Sequence, residues 1–528
     1  MKKIFYTLLL TFISLSACTD DESTLATNEV GSISIEGLES SYTVRSYVGV
    51  NLKDIVSPTI QSDYSEDQLT YSWYLFNNEE DDADYTEFLI SNEKLPDYEV
   101  NLPSGNYTLA LKVQSQTNDY AQFATTTLST STQFSQGYYI LKETADGNTD
   151  LDCYNQELQS DIISGGTGAP MQGKPYNISI LYNGEYVNPD NNEMAFDNFI
   201  HVTTESHAYK GFRSEDMKEI FNNDNLFYSG PMEADEMPCS LFTTIFYNCY
   251  MSNTGIRSYM ASSGTANSTG RLGFPTCSGG SKFVQIADYM TGIVYWSDTE
   301  HCLMGADFNA SASSAMTTAS GDNIQNNYPK DLNCLASGFN VSGGNTLTWF
   351  LCEQPSTGQR YLYKTDATGY CINEIIKLDP SLHLARSIAQ GGNGLTASYI
   401  YCIDDNKLHA YSLQTGNELE NINLPGIPAN ENITFVTNQY LNLGGFIESA
   451  YNRDDLIIGT QTGNNYKLYV YESAQMNGGQ PIAEPAVIIE GTGTVKAVRY
   501  ISPQKDITGN NISIGSMFGY TNPFPLSD

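Results

Sequence analysis

One local pattern recurs along most of this chain: two short apolar, tyrosine-rich runs separated by a few turn residues. The clearest copies pair Leu347–Cys352 with Tyr361–Lys364, Tyr399–Ile403 with Leu408–Leu413, and Leu456–Gln461 with Lys467–Glu472. In each pair the second run follows a basic residue and carries tyrosine, as in Arg360-Tyr361-Leu362-Tyr363, Lys407-Leu408-His409-Ala410-Tyr411 and Lys467-Leu468-Tyr469-Val470-Tyr471. Short β-branched and aromatic runs bounded by Gly, Asn, Asp and Ser read as strands. Helical periodicity is nearly missing, and its longest candidate, Ser214–Asn222, is too short to set the fold class. Weaker copies of the pair begin near Gly137, Phe199, Phe242 and Phe283, which gives seven starts at 137, 199, 242, 283, 347, 399 and 456, spaced 41 to 64 residues apart. A repeat of that size made of short strands predicts an all-β chain whose residues 137–528 form a β-propeller-like domain of about seven blades. The spacing is irregular and shows no WD or kelch signature, so a large β-sandwich or barrel is the alternative.

Residues 28–134 form a different unit. Strands are expected at Ser32–Ile35, Tyr42–Val44, Leu69–Leu75, Tyr107–Ser115 and Gln122–Leu128, and Asp54-Ile55-Val56 before Pro58 reads as an edge or strand end. Tyr71-Ser72-Trp73-Tyr74 alternates, which puts Tyr71 and Trp73 on one face and makes Trp73 the expected core aromatic of a small sandwich. The segment Leu102-Pro103-Ser104-Gly105-Asn106-Tyr107-Thr108-Leu109-Ala110-Leu111-Lys112-Val113 is a turn running into an alternating strand. It resembles the end of a PKD-like, immunoglobulin-type module. The stretch Gly137-Tyr138-Tyr139-Ile140-Leu141-Lys142-Glu143, followed by Asp146 to Asp152, resembles the start of the large C-terminal domain of PKD-like-family lipoproteins of Bacteroidota.

The N-terminus supports the same resemblance. Met1-Lys2-Lys3 and an apolar run from Ile4 to Leu15 read as a secretory leader (1–17), too short to span a bilayer. Leu15-Ser16-Ala17-Cys18 resembles a lipobox, in which the Cys18 thiol takes a diacylglyceryl group after cleavage. A polar linker, 18–27, follows, and its Asp20-Asp21-Glu22 cluster resembles the surface-export signal of Bacteroidota lipoproteins. The resemblance implies an outer-membrane, cell-surface protein, accessory to a SusC/SusD-type uptake system that captures or processes glycans or peptides.

Charge narrows the partners. The chain has 25 basic and 61 acidic side chains, a net charge of −36, which becomes −38 once Lys2 and Lys3 leave with the leader. Such a surface repels phosphate backbones and anionic lipid, which argues against nucleic-acid binding and leaves membrane attachment to the lipid anchor. With 40% apolar residues, 37 tyrosines and 22 phenylalanines, the chain is nevertheless a folded one. Nine cysteines besides Cys18 are an odd number. Cys239 with Cys249 is a conceivable bridge, and Cys153, Cys334, Cys352, Cys371 and Cys402 read as small buried hydrophobes.

Catalytic motifs are sparse. The five histidines form no HExxH, and GxSxG, P-loop and GxGxxG patterns are missing. Asp146, Asn148, Asp150 and Asp152 alternate as in a calcium loop but lack its glycine and distal glutamate, so a hairpin turn competes with a calcium site. The acidic run Glu79 to Asp82 with Asp84 reads as a solvated loop. Tyr247, Tyr250, Tyr259, Tyr289 and Trp296 are the aromatic candidates for stacking on a sugar or covering a peptide, with packing between blades as the competing reading. Binding of a glycan or peptide, or docking on the uptake complex, is therefore the expected function. A propeller-based glycan lyase or hydrolase is the first rival, and a purely structural transporter subunit the second.

Overall fold

The computed structural model describes residues 31–77, 88–189, 191–244, 247–260, 269–288, 292–342, 345–366, 371–387, 389–391, 398–420, 422–441 and 453–502. Among the described residues the N-terminal unit holds seven strands: β1 (Ile33–Glu36), β2 (Ser41–Arg45), β3 (Thr59–Ser62), β4 (Leu69–Asn77), β5 (Leu89–Ser91), β6 (Gly105–Ser115) and β7 (Ala121–Ser131). They form a five-stranded sheet, β2-β7-β6-β4-β5, and a two-stranded sheet, β1-β3. All pairings are antiparallel except β2 with β7. Alternation in β4 buries Leu69, Tyr71, Trp73 and Leu75 against Leu109, Leu111 and Val113 of β6. Trp73 is fully buried at the centre of that core. The Asp54-Ile55-Val56 segment is no strand end. It closes a 3-10 turn, Leu52–Asp54, in which Asn51 Oδ1 accepts from Lys53 N.

The described residues from Gly137 to Ile501 form a seven-bladed β-propeller. Blade 1 combines Gly137–Glu143, Thr149–Asn155 and Glu157–Gln159 with a strand from the far end of the chain, Thr494–Ile501. Blades 2 to 7 span Pro175–Asn222, Pro238–Met260, Val284–Ala315, Asn333–Lys377, Ala389–Leu419 and Ile433–Thr492. Each is four-stranded and antiparallel except blade 3, in which three strands lie among the described residues. The first strands of the blades lie innermost. The strand Thr494–Ile501 contacts the first strands of both blade 7 and blade 2, which closes the ring. It pairs with Gly137–Glu143, from Thr494 opposite Glu143 to Ile501 opposite Gly137.

The strand pairs read from sequence at 347, 399 and 456 are the second and third strands of blades 5, 6 and 7. The starts at 242 and 283 instead fall at the first strands of blades 3 and 4. The expected helix Ser214–Asn222 is a turn followed by the strand Glu219–Asn222. The turn is locked by Arg213 on Asp216 and by Met217 in the left-handed region at φ 58°, and the α-helix found among the described residues is Ile162–Thr167.

Apolar side chains fill the seams between blades, as one cluster that spans both sides of blade 1 and as separate clusters at the other seams. Trp296, Phe350 and Cys352 join blades 4 and 5, while Trp349 and Leu351 meet Ile400 and Cys402 between blades 5 and 6. All nine described cysteines are free thiols, so Cys239 and Cys249 are not bridged. Burial pushes the Cys153 thiol up to about 12, so it stays protonated and behaves as a small apolar side chain.

The propeller has two unlike ends. One carries the turns between first and second and between third and fourth strands. The other carries the turns between second and third strands and the crossings from blade to blade. The sandwich sits on the first end. Ser104 Oγ donates to Glu215 Oε2 at 2.5 Å and Ser104 N to Glu215 Oε1 at 3.0 Å, Thr132 Oγ1 donates to the Glu215 carbonyl, and Arg45 Nη1 donates to the Asn155 carbonyl. Gly137 begins the first propeller strand at φ 132°, and a Cβ there would lie 2.3 Å from the Tyr154 carbonyl oxygen, so only glycine fits this entry point.

Candidate functional site

Tyr250 and Trp296 are seam residues. Both are fully buried. Tyr250 meets Phe227 edge-on at 5.3 Å between ring centres, and Trp296 meets Tyr363 at 5.6 Å. Neither presents a ring face to solvent, which removes them as stacking platforms and gives them to inter-blade packing. Tyr259 is partly buried, and its Oη accepts from Asn248 Nδ2 at 2.9 Å. Tyr247 is likewise partly buried, its ring 6.1 Å from that of Phe308. Tyr289, Cys18 and the acidic run 79–84 lie outside the described residues.

The calcium reading of Asp146, Asn148, Asp150 and Asp152 fails on geometry. Asp150 turns inward and accepts from the backbone N–H groups of Leu151, Ile163 and Ser164 and from Ser164 Oγ, which caps the start of helix Ile162–Thr167. Asp152 is fully buried. It pairs with Lys142 at 2.6 Å and accepts from Tyr466 Oη of blade 7 at 2.6 Å. Asn148 Oδ1 accepts from Gly173 N, and Asp146 is exposed on the turn. The oxygens point to different partners, and among the described residues no three His, Cys, Asp or Glu side chains converge on a metal-sized space.

A cleft forms elsewhere, off the axis, on the end of the propeller opposite the sandwich. It has a volume of about 320 Å³ and is lined chiefly by Gln354, Thr357, Gln359, Arg360, Tyr361 and Lys377. These residues come from the turn between the second and third strands of blade 5 and from the end of its fourth strand. The volume lies at the small end of the range for ligand pockets. Gln359 Nε2 is held by the Arg360 and Leu378 carbonyls. Arg360 is pinned by Glu353 at 2.8 Å and donates to the Leu384 carbonyl and to Ser387 Oγ. Lys377 is exposed and has no ion-pair partner among the described residues, although most of the described lysines have one. The cleft thus offers amides, a hydroxyl, a tyrosine edge and one free ammonium group.

The crossing behind it, residues 378–387, is braced by blade 6. Glu418 accepts from the backbone N–H groups of His383 and Leu384 at 2.8 and 2.9 Å. Asp404 Oδ2 contacts His383 Nδ1 at 2.7 Å and Arg386 Nε at 2.6 Å, and the rings of His383 and His409 stack at 3.5 Å. Burial pushes the Asp404 carboxyl up, but the hydrogen bonds from His383 and Arg386 outweigh it and hold the group below its usual range. Burial, and then the neighbouring His383, lower His409. The cleft wall is therefore fixed by charged contacts before any ligand arrives. Two exposed aromatics that the sequence pattern did not single out, Tyr228 (57% exposed) and Phe274 (78% exposed), lie on the flank between blades 2 and 3. They sit on irregular connecting segments, where strand alternation gives no signal.

A family model described as the PKD-like family matches residues 18–175, a span covering the sandwich and the three blade 1 strands between Gly137 and Gln159. No curated protein matches the chain. Among solved structures, the chain is similar to a quinonprotein alcohol dehydrogenase-like protein from Bacteroides thetaiotaomicron VPI-5482, with a TM-score of 0.36 and 13% identity over 88% of this chain and 97% of that one. A structural genomics protein of unknown function from the same organism gives a TM-score of 0.28 and 8% identity, covering 95% and 98% of the two chains. The Dos1 propeller gives 0.29 and 11%, covering 80% and 89%. The protein is thus all-β, a PKD-like sandwich followed by a propeller.

Proposed function

We propose that the protein is a lipid-anchored surface protein of the outer membrane that binds a glycan or peptide, or docks as an accessory subunit on a SusC/SusD-type uptake complex. The observation that carries this reading is the placement of the polar cleft on the end of the propeller away from the sandwich. A chain tethered at Cys18 would hold the sandwich as a spacer on the membrane side and turn the cleft outward. The cleft chemistry suits a neutral or anionic polar ligand: side-chain amides and a hydroxyl match sugar hydroxyls or peptide groups, and Lys377 adds a positive charge in a field that is otherwise strongly negative.

The test is co-purification of the lipidated protein from outer membranes in mild detergent, followed by binding assays with the glycans or peptides handled by whatever transporter is recovered. Recovery of a SusC/SusD-like pair, with ligand binding that weakens in Lys377→Ala and Gln359→Ala, supports the proposal. Recovery of the transporter without ligand binding points to the purely structural subunit. Turnover of a bound glycan points to the enzyme. Release of the protein from membranes unchanged by Cys18→Ala would remove the anchor from the proposal.

A further inference from the structure

The innermost strand of blade 1 carries an unusual side chain. Arg499 lies midway along Thr494–Ile501, opposite Tyr139, and is 2% exposed. Its Nη1 donates to the carbonyl of its neighbour Val498 at 3.0 Å, while Nε and Nη2 have no hydrogen-bond partner among the described residues. The surrounding backbone is well satisfied. Tyr500 N donates to Gln439 Oε1 of blade 7, and Ser502 N donates to Tyr182 Oη of blade 2. The open donors are therefore the guanidinium's own.

Which two donors are open matters. Nε–H and Nη2–H lie along one edge of the planar guanidinium and form the fork that grips two oxygens of a carboxylate or phosphate side by side. The same fork is filled elsewhere in this protein: Arg213 Nε and Nη2 take the two oxygens of Asp216 at 2.9 and 2.5 Å. Arg257 and Arg360 each have a carboxylate as well, Glu236 at 3.2 Å and Glu353 at 2.8 Å. Arg499 has none among the described residues. Burial alone lowers its guanidinium, to about 9, so it still carries its proton at neutral pH. A buried charge without a counter-charge is strongly disfavoured, and an oxyanion seated on the open fork supplies that counter-charge.

We infer that the inner wall of the propeller, at Arg499, is a binding site for an oxyanion of the carboxylate or phosphate class. The site is distinct from the outer cleft and independent of the role proposed for it. A buried occupant held this way would tie the closing strand to the ring and stabilise the folded protein by mass action.

The experiment has two arms. In the first, the mature protein is purified in chloride buffer and denatured, and the released anions are measured by ion chromatography. In the second, thermal stability is followed against sodium acetate, sodium phosphate and sodium chloride at matched ionic strength. The expected result is release of about one carboxylate or phosphate per chain, or saturable stabilisation by acetate or phosphate but not by chloride. Arg499→Met should lose whichever response the natural protein gives. Arg499→Lys keeps the charge without the fork, so the apparent affinity should fall about tenfold, the equivalent of one charged hydrogen bond. The lysine variant keeps the test alive if the methionine variant does not fold. Acetate against phosphate in the second arm, and the anion identified in the first, separate the two sources. The proposal is overturned if no anion is released and the salts act alike, or if Arg499→Met responds as the natural protein does.

Discussion

The sandwich and the propeller solve the same packing problem in opposite ways. The sandwich has one core, centred on Trp73, and all its strands come from about a hundred consecutive residues. The propeller spreads its core over separate clusters at the blade seams and completes its ring only when Thr494–Ile501 pairs with Gly137–Glu143. Damage to the sandwich should therefore stay local, whereas damage at the closure should reach every seam, because an open ring leaves blade 1 short of its inner strand.

Removing residues 494–528 is expected to have the largest effect. The propeller should lose its cooperative unfolding transition, a cost above about 5 kcal/mol, while the sandwich keeps its own. The three tryptophans report separately, since Trp73 belongs to the sandwich and Trp296 and Trp349 to the propeller. A single shared transition in the truncated protein would mean that the two regions fold as one. Next, Trp73→Ala should cost about 3–5 kcal/mol and lower only the sandwich transition in calorimetry.

Asp455 gives a third, smaller effect, seated at the seam between blades 7 and 1. It is buried and accepts from Tyr138 Oη at 2.7 Å, with Arg453 Nε at 4.0 Å. Burial raises its carboxyl to about 7, against the pull of Tyr138 and Arg453 in the other direction. The folded state then holds a proton that the unfolded chain releases near pH 4, so this residue's contribution favours folding at low pH and fades as pH rises from about 4 to about 7. Asp455→Asn keeps an acceptor for Tyr138 and should flatten that slope, with a gain on the order of 2 kcal/mol at pH 8. Denaturant titrations from pH 4 to 8 measure it, and an unchanged slope would place the proton elsewhere. The smallest effect belongs to the junction. Glu215→Ala removes both contacts from Ser104 and should cost about 1–2 kcal/mol, read as faster proteolysis near residues 132–136 with both domain transitions unmoved.

The hairpins at 347, 399 and 456 were legible because each sets two apolar, tyrosine-bearing runs of strand length on either side of a few turn residues. Blades 3 and 4 were harder to place. Strands such as Pro238–Thr243 and Gly292–Ser297 are buried at every position, as the clear hairpins nearly are, but the runs after them, Tyr247–Ser252 and Cys302–Ala306, do not open on a basic residue. The closing strand was invisible as a partner of Gly137–Glu143, because some 350 residues separate the two and nothing local links them. Tyr250 and Trp296 illustrate the limit for binding residues: an aromatic in a strand has the same sequence signature whether it faces a ligand or the next blade. The cleft draws on a turn and a strand end, where side-chain direction follows no period. Arg499, within Val498-Arg499-Tyr500, looks like any basic residue of a strand until its burial is known.

Gly137 also has a mechanical meaning. A load arriving through the sandwich enters the propeller at this residue, the first of a strand bonded along one edge to Thr149–Asn155 and along the other to Thr494–Ile501. Tension along that strand puts both ladders in shear, so many bonds share the strain instead of opening one after another. The clasp formed by the two ends of the propeller thus lies where a pull applied through the sandwich enters, and such a pull would meet its stiffest direction first.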